Sequence, residues 1–266
     1  MDDLAVVLRD PARTVLGLDF DGTLSPIVAD PDRAYVHPDS VAALRRIAPR
    51  LQQVAIITGR PAQKAVALGG FAEGQGLEHL VVMGQYGIER WDARTGKVVS
   101  PPIPAAVEEA KQALPGLLVR AGHPEAWIED KGRAVAVHTR RLPDPAAALA
   151  DLFEPVRALA QAHDLHLEPG KNVLEVRAAG FDKGDAVRDL AARLDPATFV
   201  FAGDDLGDIA AYDAVDDLRE AGLRTLLVFP AAEGETSPLA ERADVVVDGT
   251  DGMARWLTRL ADALES

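Results

Sequence analysis

Residues 14–20 read TVLGLDF, a short apolar run that ends in acidic residues, and this pattern predicts a buried strand. Val41, Leu44, Ile47 and Leu51 recur at helical spacing, so residues 38–51 are expected to form a helix capped by Asp39 or Ser40. Residues 54–57 (VAII) repeat the buried-strand pattern and end at Thr58-Gly59-Arg60, and residues 61–68 read as the next helix. Strand, helix, strand, helix implies a parallel sheet with crossover connections.

The pattern changes after about Leu80. Short β-like runs follow at 80–83, 87–91, 117–120, 127–129 and 134–139, then a long helical stretch at 145–162 and two more strands at 165–168 and 173–176. Clustered strands beside helices suggest an antiparallel α+β unit. Pro101-Pro102-Ile103-Pro104 reads as its entry linker and Ala178-Ala179-Gly180 as its return. The alternation then resumes with a helix at 182–194, strand at 198–202, helix at 206–214, strands at 223–229 and 245–247, and a closing helix at 252–264. The fold class is therefore α/β: a parallel-sheet core of residues 1–102 and 178–266, interrupted by an antiparallel α+β insert at 103–177.

Composition narrows the chemistry. The chain has 266 residues, 48% of them hydrophobic, enough for a substantial core in one large domain or two modest ones. It has no cysteine, which excludes disulfides, thiolate metal sites and cysteine nucleophiles. Its formal net charge of -14 makes a nucleic-acid partner unexpected, since phosphate-backbone binding depends on Lys and Arg. The N-terminus, MDDLAVVLRDP, has no basic leader pattern, and no apolar run reaches the length of a membrane span. A cytoplasmic monomer with no membrane partner is expected.

Two acidic strand ends carry the candidate chemistry. Leu18-Asp19-Phe20-Asp21-Gly22-Thr23-Leu24 follows the first strand, and alternation lets Asp19 and Asp21 point the same way. Gly203-Asp204-Asp205-Leu206-Gly207-Asp208 follows the strand at 198–202. Each segment alone is compatible with an acidic turn or a helix cap. Together they call for a divalent cation, and hard carboxylate oxygens favour Mg²⁺. Ligands of open α/β sheets bind at such strand ends. Thr58 and Gly59 sit where a hydroxyl and helix amides hold an anion. Lys183 stands at a helix start, where a cation opposes the macrodipole; neutralising a phosphate would account for it.

The order Asp-x-Asp-Gly-Thr, Thr-Gly-Arg, Lys and Gly-Asp-Asp-x-x-x-Asp, from Asp19 to Asp208, resembles the haloacid dehalogenase (HAD) phosphatase superfamily. The resemblance implies a Rossmann-like core with an inserted cap domain. It makes Asp19 the nucleophile and Asp21 the general acid and base. Mg²⁺ would be held by Asp19, the carbonyl of Asp21 and Asp204, with Asp205 and Asp208 in direct or indirect support, and Thr58 and Lys183 would bind the phosphoryl oxygens. Within that superfamily the segment DFDGTLSPIVADPDRA is similar to the opening of trehalose-6-phosphate phosphatases. Glu129-Asp130-Lys131-Gly132, His138-Thr139-Arg140, and Gly170-Lys171 with Glu175-Val176-Arg177 resemble that family's cap signatures. The resemblance implies sugar contacts from Glu129, Lys131, His138, Arg140, Lys171 and Glu175.

The chain departs from that family at Tyr86, Gly207, Thr139, Ile209 and Ala178, which bears on sugar specificity and leaves the nucleophile, acid and lysine untouched. The expected activity is hydrolysis of trehalose 6-phosphate to trehalose and phosphate through an aspartyl-phosphate. The alternatives at this point are another sugar phosphate (sucrose phosphate, glucosyl- or mannosylglycerate phosphate), a non-catalytic binding module, and a phospho-acceptor signalling domain.

Overall fold

The computed structural model describes residues 4–73, 75–178, 181–232 and 237–266. Two compact units emerge: residues 1–100 with 181–266, and residues 101–180. In chain order the elements are α1 (Ala5–Leu8), β1 (Thr14–Leu18), α2 (Pro38–Ile47), β2 (Gln53–Ile57), α3 (Ala62–Gly69), β3 (Leu80–Gly84), β4 (Glu89–Asp92), β5 (Lys97–Val99), α4 (Ala105–Arg120), β6 (Trp127–Asp130) and β7 (Ala134–His138). They continue as α5 (Pro145–Ala162), β8 (Leu165–Gly170), β9 (Val173–Ala178), α6 (Lys183–Leu194), β10 (Thr198–Ala202), α7 (Ile209–Glu220), β11 (Arg224–Ala231), α8 (Pro238–Arg242), β12 (Val245–Asp248) and α9 (Gly249–Glu265).

The first unit is built on an eight-stranded sheet in the order β12-β11-β10-β1-β2-β3-β4-β5. It is parallel from β12 to β3, and β4 and β5 add an antiparallel edge. Its central strands are apolar on both faces because helices cover both. Leu16, Leu18, Val54, Ile56 and Val200 face Leu44, Ile47, Trp256 and Leu260. Their neighbours Val15, Ala55, Ile57, Phe199 and Phe201 face Val187, Leu190, Tyr212 and Val215. From β1 the chain runs outward through β2 and β3; after the insert it returns to β10 on the other side of β1 and runs out through β11 and β12. The strand order thus reverses between β1 and β10, which is where open α/β sheets place a ligand crevice.

The second unit is a four-stranded antiparallel sheet, β6-β7-β9-β8. Val135, Val137, Leu174 and Val176 pack with Leu114, Leu118, Leu152 and Val156 of α4 and α5. Alternation sends Trp127, Glu129, His138 and Glu175 to the opposite face, and the pairs Trp127–His138 and Ala136–Glu175 share that side. Among the described residues no helix is long and apolar enough to cross a membrane.

Four local expectations are corrected. Residues 117–120 are not a strand but the last turn of α4. Leu117-Leu118-Val119 mimics a strand, yet Val107, Ala110, Leu114, Leu117 and Leu118 are buried at helical spacing while Val119 is 63% exposed. Pro115 inside the helix obscured that period. The cap of α2 is His37, whose side chain accepts from the Asp39 amide, rather than Asp39 or Ser40. Residues 85–87 form a single 3-10 turn, so β4 starts only at Glu89. Residues 206–208 are likewise a 3-10 turn, and α7 runs on to Glu220. Of the expected return linker, Ala178 ends β9, and Ala179 and Gly180 lie outside the described residues.

The α4 correction is directly testable. Leu114→Ala is expected to cost about 2–5 kcal/mol of the second unit's stability, and Val119→Ala no more than about 0.5 kcal/mol. Denaturant melts followed by Trp127 fluorescence would measure both; equal costs would contradict the helix register.

Candidate active site

Backbone register brings the acidic segments together. β1 and β10 are adjacent and parallel, with Leu18 opposite Ala202, so the residues that follow each strand leave the sheet side by side. Asp19 N donates to Ala202 O at 2.8 Å, which fixes the first acidic turn against the second strand. Gly22 then turns with φ of +83°, and a Cβ there would lie 1.9 Å from Asp204 Oδ2. Only glycine lets the two loops approach this closely. Thr23 Oγ1 donates to Asp204 Oδ1 at 3.2 Å and sets the carboxylate's orientation.

Lys183, the first residue of α6, is buried at the centre. Its Nζ donates to Asp19 Oδ1 at 2.6 Å and to Asp208 Oδ1 at 2.7 Å. The other Asp208 oxygen accepts from the amides of Asp204 at 3.1 Å and Asp205 at 3.2 Å. Asp208 therefore braces both the lysine and the loop. The α6 start tolerates a cation because Asp182 and Asp185 complete a capping box around it.

Crowding shows in the proton affinities. Burial pushes the Asp19 carboxyl well up from the usual carboxylate range; the Lys183 charge works against that, and Asp208 and Asp204 add to it. Burial, then the charges of Asp208 and Asp205, pushes Asp204 up to about 7. Asp208 is raised by burial and partly relieved by Lys183. Burial would lower Lys183, but Asp19 and Asp208 outweigh it and hold the ammonium well above the ordinary lysine range. One ammonium is thus left to offset several buried carboxylates. Oxygens of Asp19, Asp204 and Asp208 lie within 4.8 Å of one another. A tight set of hard oxygen donors, under-neutralised and buried, fits a hard divalent cation.

The other expected ligands point elsewhere with their side chains. Asp205 is exposed and accepts from the Gly207 amide at 2.8 Å. The Asp21 carboxylate accepts from Arg60 Nε and Nη2, each at 2.6 Å. Thr58 is buried at the end of β2, with its Oγ1 accepting from the Arg60 amide at 3.1 Å. Gly59 packs under the Tyr86 ring, 2.9 Å from where its Cβ would stand. Thr23 and Arg60 belong to the motifs Asp-Gly-Thr and Thr-Gly-Arg, but no spacing rule in the sequence gives either its carboxylate partner.

The chain matches the trehalose-phosphatase family over residues 17–246. It is 34% identical over 248 residues to a probable trehalose-phosphate phosphatase of Sinorhizobium fredii, covering 90% of this chain and 88% of that one. The chain belongs to the trehalose-phosphatase family. A trehalose-phosphate phosphatase of Mycobacterium bovis is 32% identical over 217 residues, covering 79% of this chain and 52% of its own length, so this chain spans about half of that relative. A solved haloacid dehalogenase-like hydrolase of Bacteroides thetaiotaomicron shares the fold with a TM-score of 0.64 and 14% identity, covering 93% of this chain and 99% of that one. The HAD fold and the trehalose-phosphatase resemblance expected from the motifs are thus borne out.

In the second unit, four of the six expected sugar-contact residues gather on the sheet face opposite α4 and α5. Lys131 Nζ donates to the buried Glu175 carboxylate at 2.5 Å. His138 Nε2 lies 2.9 Å from Glu129 Oε2, and its ring stacks on Trp127 with centroids 4.5 Å apart. Among the described residues, buried His138 Nδ1 has no hydrogen-bond partner. Arg140 and Lys171 are exposed, each two residues from the sheet end where His138 pairs with Val173.

Excess buried carboxylate predicts how the fold responds to a cation. The raised carboxyls bind protons more tightly folded than unfolded, so without metal the cluster contributes stability that is fully present below about pH 4 and is lost as pH rises through the folded value of about 7 for Asp204. A divalent cation is therefore expected to raise Tm more at pH 8 than at pH 5. Thermal melts with MgCl₂ against EDTA at both pH values would check this, and Asp204→Asn should remove most of the difference.

Proposed function

We propose that this chain is a Mg²⁺-dependent phosphatase that hydrolyses trehalose 6-phosphate to trehalose and phosphate. The observation that carries the reading is the buried Asp19–Lys183–Asp208 cluster at the β1/β10 switch point, in a chain of the trehalose-phosphatase family.

Asp19 is the nucleophile. One carboxylate oxygen forms a bond to phosphorus while the bond from phosphorus to the sugar oxygen breaks, and its electron pair leaves on that oxygen. Asp21 gives its proton to the departing oxygen. Asp21 then takes a proton from water, whose oxygen attacks the same phosphorus, releasing phosphate and restoring the Asp19 carboxylate. A carboxylate nucleophile splits one difficult displacement into two easier ones. The Lys183 ammonium, already 2.6 Å from Asp19, stabilises charge on the transferring group. Thr58 and the Gly59 amide donate to phosphoryl oxygens. Mg²⁺ held by Asp19 and Asp204, with the Asp21 carbonyl, Asp205 and Asp208 around them, would supply the further positive charge that a phosphoryl dianion requires.

The first unit is the catalytic core and the second is the cap that reads the sugar. Glu129, Lys131, His138, Arg140, Lys171 and Glu175 are assigned to sugar hydroxyls. The paired Lys131–Glu175 and His138–Glu129 side chains support this, because preorganised charged groups hydrogen-bond a polyol without first being ordered. A binding module or signalling domain is disfavoured by the intact set of Asp19, Asp21 and Lys183 and by the presence of a second folded unit.

A panel of sugar phosphates with Mg²⁺, followed by phosphate release, tests the substrate. Trehalose 6-phosphate should give the highest kcat/KM, and a clearly better sucrose or glycosylglycerate phosphate would replace it. Asp19→Asn is expected to abolish turnover with Tm retained. Lys171→Ala should raise KM more than it lowers kcat if it binds substrate uniformly; an unchanged KM would remove Lys171 from the sugar site.

A further inference from the structure

Arg60 is held by more contacts than its place in a loop requires. Its Nε and Nη2 donate to the two Asp21 oxygens at 2.6 Å each, and Nη1 donates to Pro31 O at 2.8 Å. The guanidinium carbon lies 5.2 Å from the Phe20 ring centroid, and the side chain is only 11% exposed. A planar fork with all three nitrogens engaged and an aromatic ring against it has little freedom.

Its backbone is fixed as well. Arg60 N donates to Thr58 Oγ1 at 3.1 Å, and Arg60 O accepts from Gln85 N at 2.9 Å. Tyr86 N donates to Thr58 O at 3.0 Å. Gln85 and Tyr86 both have positive φ, +50° and +61°, a region that residues with a Cβ disfavour. That strained turn spends its amides on the two carbonyls flanking Gly59. Strain of this kind concentrates where a functional group is held in one place.

We propose that Arg60 is the positioning residue for Asp21, fixing the carboxyl at the strand end so that it pivots on one held oxygen while the other turns to the substrate. The inference rests on the reading of Asp21 as acid and base. Both oxygens are held by the guanidinium here, so proton transfer requires one of them to leave the fork. A carboxyl released from both would sample many rotamers, and misplacing a reacting group by about 1 Å costs about 100-fold.

The test compares the wild-type full chain with Arg60→Met, Arg60→Lys and Arg60→Ala, on trehalose 6-phosphate and on p-nitrophenyl phosphate. Arg60→Met should lower kcat on the sugar phosphate about 100-fold, with KM within about threefold of wild type. On p-nitrophenyl phosphate, whose leaving group needs no proton, it should still release a rapid burst of one p-nitrophenolate per enzyme before slow turnover. Added guanidinium ion should restore part of the kcat of Arg60→Ala, a response that a purely structural role would not show. Arg60→Lys, which keeps the charge but not the fork, should share most of the kcat loss and covers the case in which Arg60→Met fails to fold. A KM rise at unchanged kcat would make Arg60 a substrate anchor and overturn the proposal. Faster turnover, an absent burst in a folded variant, or no guanidinium rescue would also overturn it. Wild-type inactivity on every phosphate tested would instead defeat the proposed function itself.

Discussion

A single buried ammonium between two carboxylates organises the first unit. Lys183 reaches Asp19 and Asp208 from the first turn of a third element, α6, so one side chain ties β1, the loop after β10 and α6 at one point. Buried ion pairs rarely add net stability, because desolvation consumes most of the Coulombic gain. Here the carboxylates outnumber the ammonium, and the imbalance is what an incoming cation would relieve. The site is therefore costly to the fold and useful to the chemistry, as functional sites commonly are.

The parallel sheet makes that convergence possible at low cost. Because β1 and β10 are neighbours with matched register, two acidic turns distant in sequence need only leave the sheet together to meet. Each helix-covered strand can be apolar on both faces, so polarity is confined to the strand ends. The second unit obeys a different rule. Helices cover one face of its antiparallel sheet, and alternation gathers Trp127, Glu129, His138 and Glu175 on the other.

Much of this was legible in the residue pattern. Two buried strands each ending in acidic residues, and a lysine placed against a helix dipole, are local signals, and they pointed to the cluster that the fold assembles. What stayed hidden was pairwise. Nothing local says that Arg60 grips Asp21, that Thr23 turns toward Asp204, or that Asp205 spends its carboxylate on the Gly207 amide. Such partners depend on where loops meet in three dimensions. The α4 helix was obscured for another reason: Pro115 and Gly116 punctuate it, and three consecutive apolar residues imitate a strand until burial separates Val119 from its neighbours.

Gly22 carries a consequence for how the sequence can drift. It combines a left-handed backbone with a Cα that Asp204 approaches so closely that no side-chain carbon fits. Two independent prohibitions act on one position, so a second substitution cannot rescue a first by relieving only one of them. A lineage that lost this glycine would have to rebuild the meeting of two loops before any change at the charged residues could matter. A residue with no functional group is thereby among the cluster's least replaceable parts.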